Sequence, residues 1–223
     1  MTRRTGLRTV GYSDRFEAGR QLADQLKAYA HRADVTALGL PRGGVVTAAA
    51  VAERLAAQLD VFCVRKLGVP WHRELAMGAV ASGGVRVLNQ DVVDQLRISW
   101  HEIDKVTEEE MAELARQETA YRGDRPPLSL EGRTVILIDD GLATGATARA
   151  AVLAVRHLNP ARVVLAVPVA PPQALPEFEE LTDEVVCPLT PDPFDAVGRW
   201  YEDFRPTTDA EVRALLERLS APT

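Results

Sequence analysis

Apolar residues fall along this chain in two kinds of block, short unbroken runs and longer stretches with helical spacing. The runs at 35–40, 60–65, 135–138, 162–169 and 184–187 are what strands buried on both faces of a parallel sheet present. Between them lie stretches that read as helices, at 45–59, 147–158 and, after Pro171-Pro172, up to Leu181. A first helix from Ser13 or Asp14 to about His31 carries Phe16, Leu22, Ala23 and Leu26 near helical spacing. Strand and helix thus alternate, which predicts an α/β fold with an open, mostly parallel sheet flanked by helices.

One region breaks the alternation. Residues 78–81 and 85–88 flank Ser82-Gly83-Gly84 as the arms of a hairpin would, and Leu67-Gly68-Val69-Pro70 reads as a turn before them. Helices at 89–97 and from His101 to about Tyr121 follow, the second with Ile103, Val106, Met111 and Leu114 inward and Glu108-Glu109-Glu110 outward. A last helix starts at about Asp209.

The strand Val135-Ile136-Leu137-Ile138 is followed at once by Asp139-Asp140, then by Gly141-Leu142-Ala143-Thr144-Gly145-Ala146-Thr147 and a helix. A small-residue loop ending at a helix N-terminus gathers backbone N–H groups and the positive helix pole, which suits a phosphate. Thr144 and Thr147 add hydroxyl donors, while ionised Asp139 and Asp140 can only accept hydrogen bonds. A ribose 5-phosphate offers hydroxyls and phosphate at that spacing. The P-loop lysine is missing, since Gly145 is followed by Ala146 and Thr147.

These thirteen positions resemble the phosphoribosyl-pyrophosphate (PRPP) motif of type I phosphoribosyltransferases: four apolar residues, two acids, three variable residues, then Thr-Gly-x-Thr. Ala146 stands where many members have a second glycine. The resemblance implies one domain over 1–223, with a lid or hairpin and helical insertion at about 66–125 and a small hood at about 188–223. It implies Mg²⁺-dependent transfer of the 5-phosphoribosyl group from PRPP to a nitrogen acceptor, releasing pyrophosphate, a task of nucleotide metabolism. Catalytic roles fall to Asp139, Asp140 and Lys66, and the 5-phosphate to Ala143, Thr144, Gly145, Ala146 and Thr147. The two aspartates would meet the metal through ribose hydroxyls or water. A homodimer is the family's usual state.

Pro41-Arg42-Gly43-Gly44, at another strand end, is similar to the family's pyrophosphate loop; the alternative is a tight turn with a surface arginine. Arg65 and Lys66 close the next strand, where the family places a basic pyrophosphate contact; cations there are otherwise simply solvated. In the hood, Pro193 to Phe204 holds four aromatic residues and loosely resembles the purine-specific members, with Phe194 and Trp200 as acceptor contacts. A packed aromatic subcore explains the same residues.

The remaining features narrow the class. A chain of 223 residues suits one such domain. Cys63 and Cys187 sit in apolar contexts and read as free thiols, and no CxxC or Cys/His cluster suggests zinc. No run approaches transmembrane length and the N-terminus lacks an apolar leader core, so a soluble cytoplasmic protein is expected. The net charge of −6 argues against broad nucleic-acid affinity, although Arg3, Arg4, Arg8, Arg15 and Arg20 form a basic arm that reads as solvated. No Gly-x-Gly-x-x-Gly follows a strand, which removes the dinucleotide oxidoreductases. The competing class is a PRPP-sensing regulator with the same pocket, little turnover and an affinity for nucleic acid.

Overall fold

The computed structural model describes residues 11–127 and 129–219. Arg3, Arg4 and Arg8 of the basic arm lie outside the described residues.

Five parallel strands form the main sheet: β1 (Val35–Gly39), β2 (Gln58–Val61), β6 (Thr134–Ile138), β7 (Arg162–Ala166) and β8 (Glu184–Val186), in the order β2-β1-β6-β7-β8. Every residue of β1 and β6 is buried, as their unbroken apolar runs require. On β6, Ile136 and Ile138 face α1 (Arg15–Gln25) and α2 (Gly43–Leu55) through Leu22, Val45 and Val51. Val135 and Leu137 face the other way, onto Ala151, Val152 and Val155 of α5 (Ala146–Arg156) and Phe178 of α6 (Leu175–Leu181).

The chain leaves β1 through α2 toward one edge and leaves β6 through α5 toward the other. The crevice between β1 and β6 is therefore the topological switch point, where open α/β sheets bind ligands beyond their C-terminal strand ends.

A second, antiparallel sheet consists of β3 (Val64–Val69), β4 (His72–Ala81) and β5 (Val85–Leu88). Leu67, Val69, Met77 and Val80 bury one face of it against Val93 of α3 (Gln90–Leu96) and Ile103 of α4 (Trp100–Arg122). Asn89 caps α3, and a reciprocal Ser99–Glu102 capping box starts α4. The last helix, α7 (Asp209–Leu219), buries Val212 and Leu216 in the α1–α2 core.

The structure corrects several boundaries. The run 60–65 is two strands in two sheets, divided at Phe62-Cys63. Phe62 N–H bonds to Gly39 O at 3.0 Å, whereas Cys63 O accepts from Ser82 N–H at 2.9 Å. The turn expected at 67–70 is strand up to Val69, because Leu67 and Val69 alternate into the core, and the chain turns at Pro70-Trp71. The first helix ends at Gln25 and passes into a 3₁₀ turn at Lys27–Tyr29. α2 starts at Gly43 and stops at Leu55, where Ala56 takes a left-handed φ of 52°. β7 stops at Ala166, and Val169 makes an isolated bridge to Leu189.

At the break between β2 and β3, Arg122 of α4 makes three hydrogen bonds, two to β2 and one within its own helix. Its Nε donates to Asp60 at 2.8 Å, Nη1 to Glu118 at 2.7 Å, and Nη2 to the Val61 carbonyl. Ser82 at the end of the hairpin donates its hydroxyl to Glu118 at 2.6 Å. A charge this deeply buried is tolerated because its donors are matched.

Candidate functional site

Two loops meet at the switch point. The first, 139–145, links β6 to α5; the second, 40–42, links β1 to α2. They touch closely: a Cβ at Gly44 would lie 2.8 Å from both Asp139 Cα and Ile138 O, and one at Gly43 would collide with Asp140 Oδ2. Only glycine lets the two backbones come this near. The acids and the Arg42-Gly43-Gly44 loop therefore occupy one place.

Asp139 and Asp140 are each half-buried. Asp139 Oδ1 accepts the Asp140 N–H at 2.8 Å. Burial, and then the charge of Asp140, push the Asp139 carboxyl well above the usual carboxylate range. Asp140 Oδ2 accepts from Arg15 Nε at 2.6 Å, and its backbone carbonyl accepts the Tyr201 hydroxyl at 2.6 Å. Burial, and then the charge of Asp140, hold that tyrosine in its protonated form. The hood thus rests on the acid loop, and its Val197 lies against Gly141.

Downstream the loop opens. Ala143, Thr144, Ala146 and Thr147 are exposed, while Gly145 is buried beside Phe178 and takes φ 73°, the left-handed turn that starts α5. The N-terminal N–H groups of α5 have no intrahelical acceptors, as at any helix start, so donors gather at this exposed bend.

The predicted cations take different positions. Arg42 is half-exposed at the head of α2, 3.7 Å from Asp209. Arg65 points to α4, where its Nε donates to Glu110 at 2.6 Å. Lys66, one residue on, points to the opposite face and lines a cleft of about 360 Å³ together with Gly78, Leu88, Thr147 and Arg149. Its Nζ lies 3.8 Å from Glu74. Phe194 and Trp200 pack, partly buried, against the Tyr12–Tyr201 cluster, where the two tyrosine rings are 5.5 Å apart. The Trp200 indole N–H is buried without a partner. Both cysteines are free; burial pushes the Cys63 thiol up to about 12 and the Cys187 thiol up to about 11.

Sequence reasoning passed over Arg15, which it counted with the solvated arm. A signal was present: Arg15 shares a stripe with Ala18, Gly19 and Leu22, the spacing of an inward helix face.

Among the described residues no group of three or more His, Cys, Asp or Glu side chains is placed to hold a metal ion, and no helix is long and apolar enough to cross a membrane.

A parallel sheet with two adjacent acids and a small-residue cradle at its switch point is the framework of a phosphoribosyltransferase, and the comparisons agree. The chain belongs to the phosphoribosyl transferase domain family, whose pattern it matches over residues 13–196. A Mycobacterium tuberculosis H37Rv protein, named provisionally as a phosphoribosyl transferase, is 47% identical over 207 residues, 93% of this chain and 46% of its own length. The same match recurs in strain CDC 1551, so the chain spans about half the length of these curated relatives. The crystal structure of TT1426 from Thermus thermophilus is 40% identical, with a TM-score of 0.84 over 95% of this chain and 100% of that one. The bifunctional protein PyrR of Chloroflexus aurantiacus is 34% identical over 112 residues, 47% of this chain and 52% of its own.

Proposed function

We propose that this chain transfers the 5-phosphoribosyl group of PRPP to a nitrogen acceptor, such as a nucleobase, and releases pyrophosphate. The observation that carries this reading is the contact between the two loops: the acids that suit ribose hydroxyls lie directly against Gly43 and Gly44. A ligand with a sugar between a phosphate and a diphosphate spans such a site.

In this reading the 5-phosphate lies in the bend at 143–147, on the helix N-terminal N–H groups and the hydroxyls of Thr144 and Thr147. Asp139 and Asp140 accept from the ribose hydroxyls and fix C1 relative to both anionic ends. The Gly43 and Gly44 N–H groups and Arg42 receive the diphosphate. Lys66 lines the cleft against Ala146, Thr147 and Arg149 at the start of α5, and Arg65 would join only by leaving Glu110. As the bond at C1 lengthens, positive charge grows on the ribose and negative charge on the diphosphate. The Asp140 carboxylate stabilises the first, the cations the second, and the nitrogen attacks the open face and passes its proton to solvent.

Magnesium fits this donor set, because it takes one or two carboxylates and completes its shell with phosphate oxygens and water. Asp139 and Asp140 would hold it through ribose hydroxyls or water, and when bound it screens the charge of the leaving diphosphate.

The test is release of pyrophosphate from PRPP and Mg²⁺ with a panel of nucleobases and amines. One acceptor should support release, and changing Asp139→Asn and Asp140→Asn together should lower it by at least about a thousandfold. Unaltered turnover in that variant would remove the assignment. PRPP binding with no release from any acceptor would assign the pocket to sensing, the reading in which the same site reports PRPP to a regulatory surface.

A further inference from the structure

Arg15 is the one cation in contact with the acid pair among the described residues, and the transfer reading above gives it no task. Its side chain is only 10% exposed, and that of Asp140 16%. Besides its 2.6 Å bond to Asp140 Oδ2, it donates through Nη1 to the Arg205 carbonyl at 2.9 Å, and its guanidinium lies 3.9 Å from the centre of the Phe204 ring. A Cβ on Gly43 would fall 2.7 Å from Arg15 Nε, so the pair sits at the diphosphate loop as well. Four segments meet at one side chain: α1, the start of α2, the acid loop and the hood.

Stability alone does not explain this choice. The position belongs to an apolar stripe with Ala18 and Leu22, where a buried guanidinium carries a desolvation cost that its partners must offset. A planar fork with fixed donor directions does what an apolar residue cannot: it dictates which way a carboxylate points. By engaging Oδ2, Arg15 sets the direction of Oδ1.

We infer that Arg15 is a positioning residue that holds the Asp140 carboxylate toward the ribose hydroxyls and ties it to the hood. This inference rests on the phosphoribosyl-transfer reading. Arg15 acts through Asp140 and not on the diphosphate, so its removal damages recognition of the sugar and spares recognition of the leaving group.

That selectivity is measurable without knowing the acceptor. Binding of PRPP, of ribose 5-phosphate and of inorganic pyrophosphate, each with Mg²⁺, is compared by calorimetry for the wild type, Arg15→Ala and Arg15→Lys. Arg15→Ala should weaken PRPP and ribose 5-phosphate by about 10–100-fold, the usual effect of losing the group that orients a ligand-binding side chain. Its pyrophosphate affinity should stay within about twofold. Arg15→Lys keeps the charge but cannot span both Asp140 and the Arg205 carbonyl, and should show the same pattern at smaller amplitude. If Arg15→Ala does not fold, the lysine variant carries the comparison.

Equal losses for all three ligands would make Arg15 a structural residue, and loss confined to pyrophosphate would place it on the diphosphate; either overturns the inference. So would unchanged or tighter ribose binding. A wild type that binds neither PRPP nor ribose 5-phosphate would instead remove the transfer reading, and this inference with it.

Discussion

The two loops at the switch point look alike in outline and differ in what their small residues are for. Each follows a fully buried parallel strand and leads into a helix. In the loop at 143–147 the small side chains face solvent and leave room for a ligand, apart from Gly145. Where the other loop enters α2, the glycines are spent on a neighbour, since a Cβ at Gly43 or Gly44 would run into the acids. In the proposed function one loop is small so that a phosphate can enter. The other is small so that two pieces of backbone can touch.

The comparison is broken most severely at Gly44. Gly44→Ala sets a methyl 2.8 Å from backbone atoms that cannot swing aside. It should cost about 3 kcal/mol, near the top of the overpacking range, and lower Tm by roughly 10 °C while abolishing PRPP binding. Thermal melts with PRPP titrations check both; a near-native Tm would mean the loops separate easily.

Thr144→Ala with Thr147→Ala should do the opposite, because both residues are exposed. PRPP affinity should fall about tenfold or more as hydrogen bonds to a charged phosphate are lost, and stability should stay within about 0.5 kcal/mol. A large fall in Tm with unchanged affinity would reverse the roles of the two loops.

The smallest effect is in the pH dependence of stability. The Asp139 carboxyl keeps its proton to higher pH when folded than when unfolded. Its contribution is therefore full at low pH and is lost as pH rises from the ordinary carboxylate range through the raised value. Relative to Asp139→Asn, the ligand-free wild type should lose Tm across that window. Parallel Tm–pH curves for the two proteins would place the Asp139 carboxyl in a more hydrated setting.

The sheet strands and the acid loop were legible because each has a local signature: an unbroken apolar run, paired carboxylates, then small residues before a helix. The break at Phe62-Cys63 was not. Val61 to Val64 is continuously apolar, and nothing in that pattern says that Phe62 bonds to one sheet and Cys63 to another. Arg15 was hidden for the converse reason, since an arginine among other arginines reads as solvated until its place on the inward stripe of α1 is weighed. The hood gave away its aromatic content but not its arrangement. That Tyr201 rests on the Asp140 carbonyl depends on a contact 61 residues away along the chain.

Arg122 has a mechanical consequence. One guanidinium grips the end of β2 and the Glu118 carboxylate to which Ser82, just past the open end of the β3–β4 hairpin, also bonds. The hairpin is therefore pinned at its root like a blade riveted to its handle, while its far tip carries Trp71 exposed to solvent. Any motion of that blade over the cleft beside α5 would be a flexing along β3 and β4, greatest at Trp71 and vanishing at Ser82.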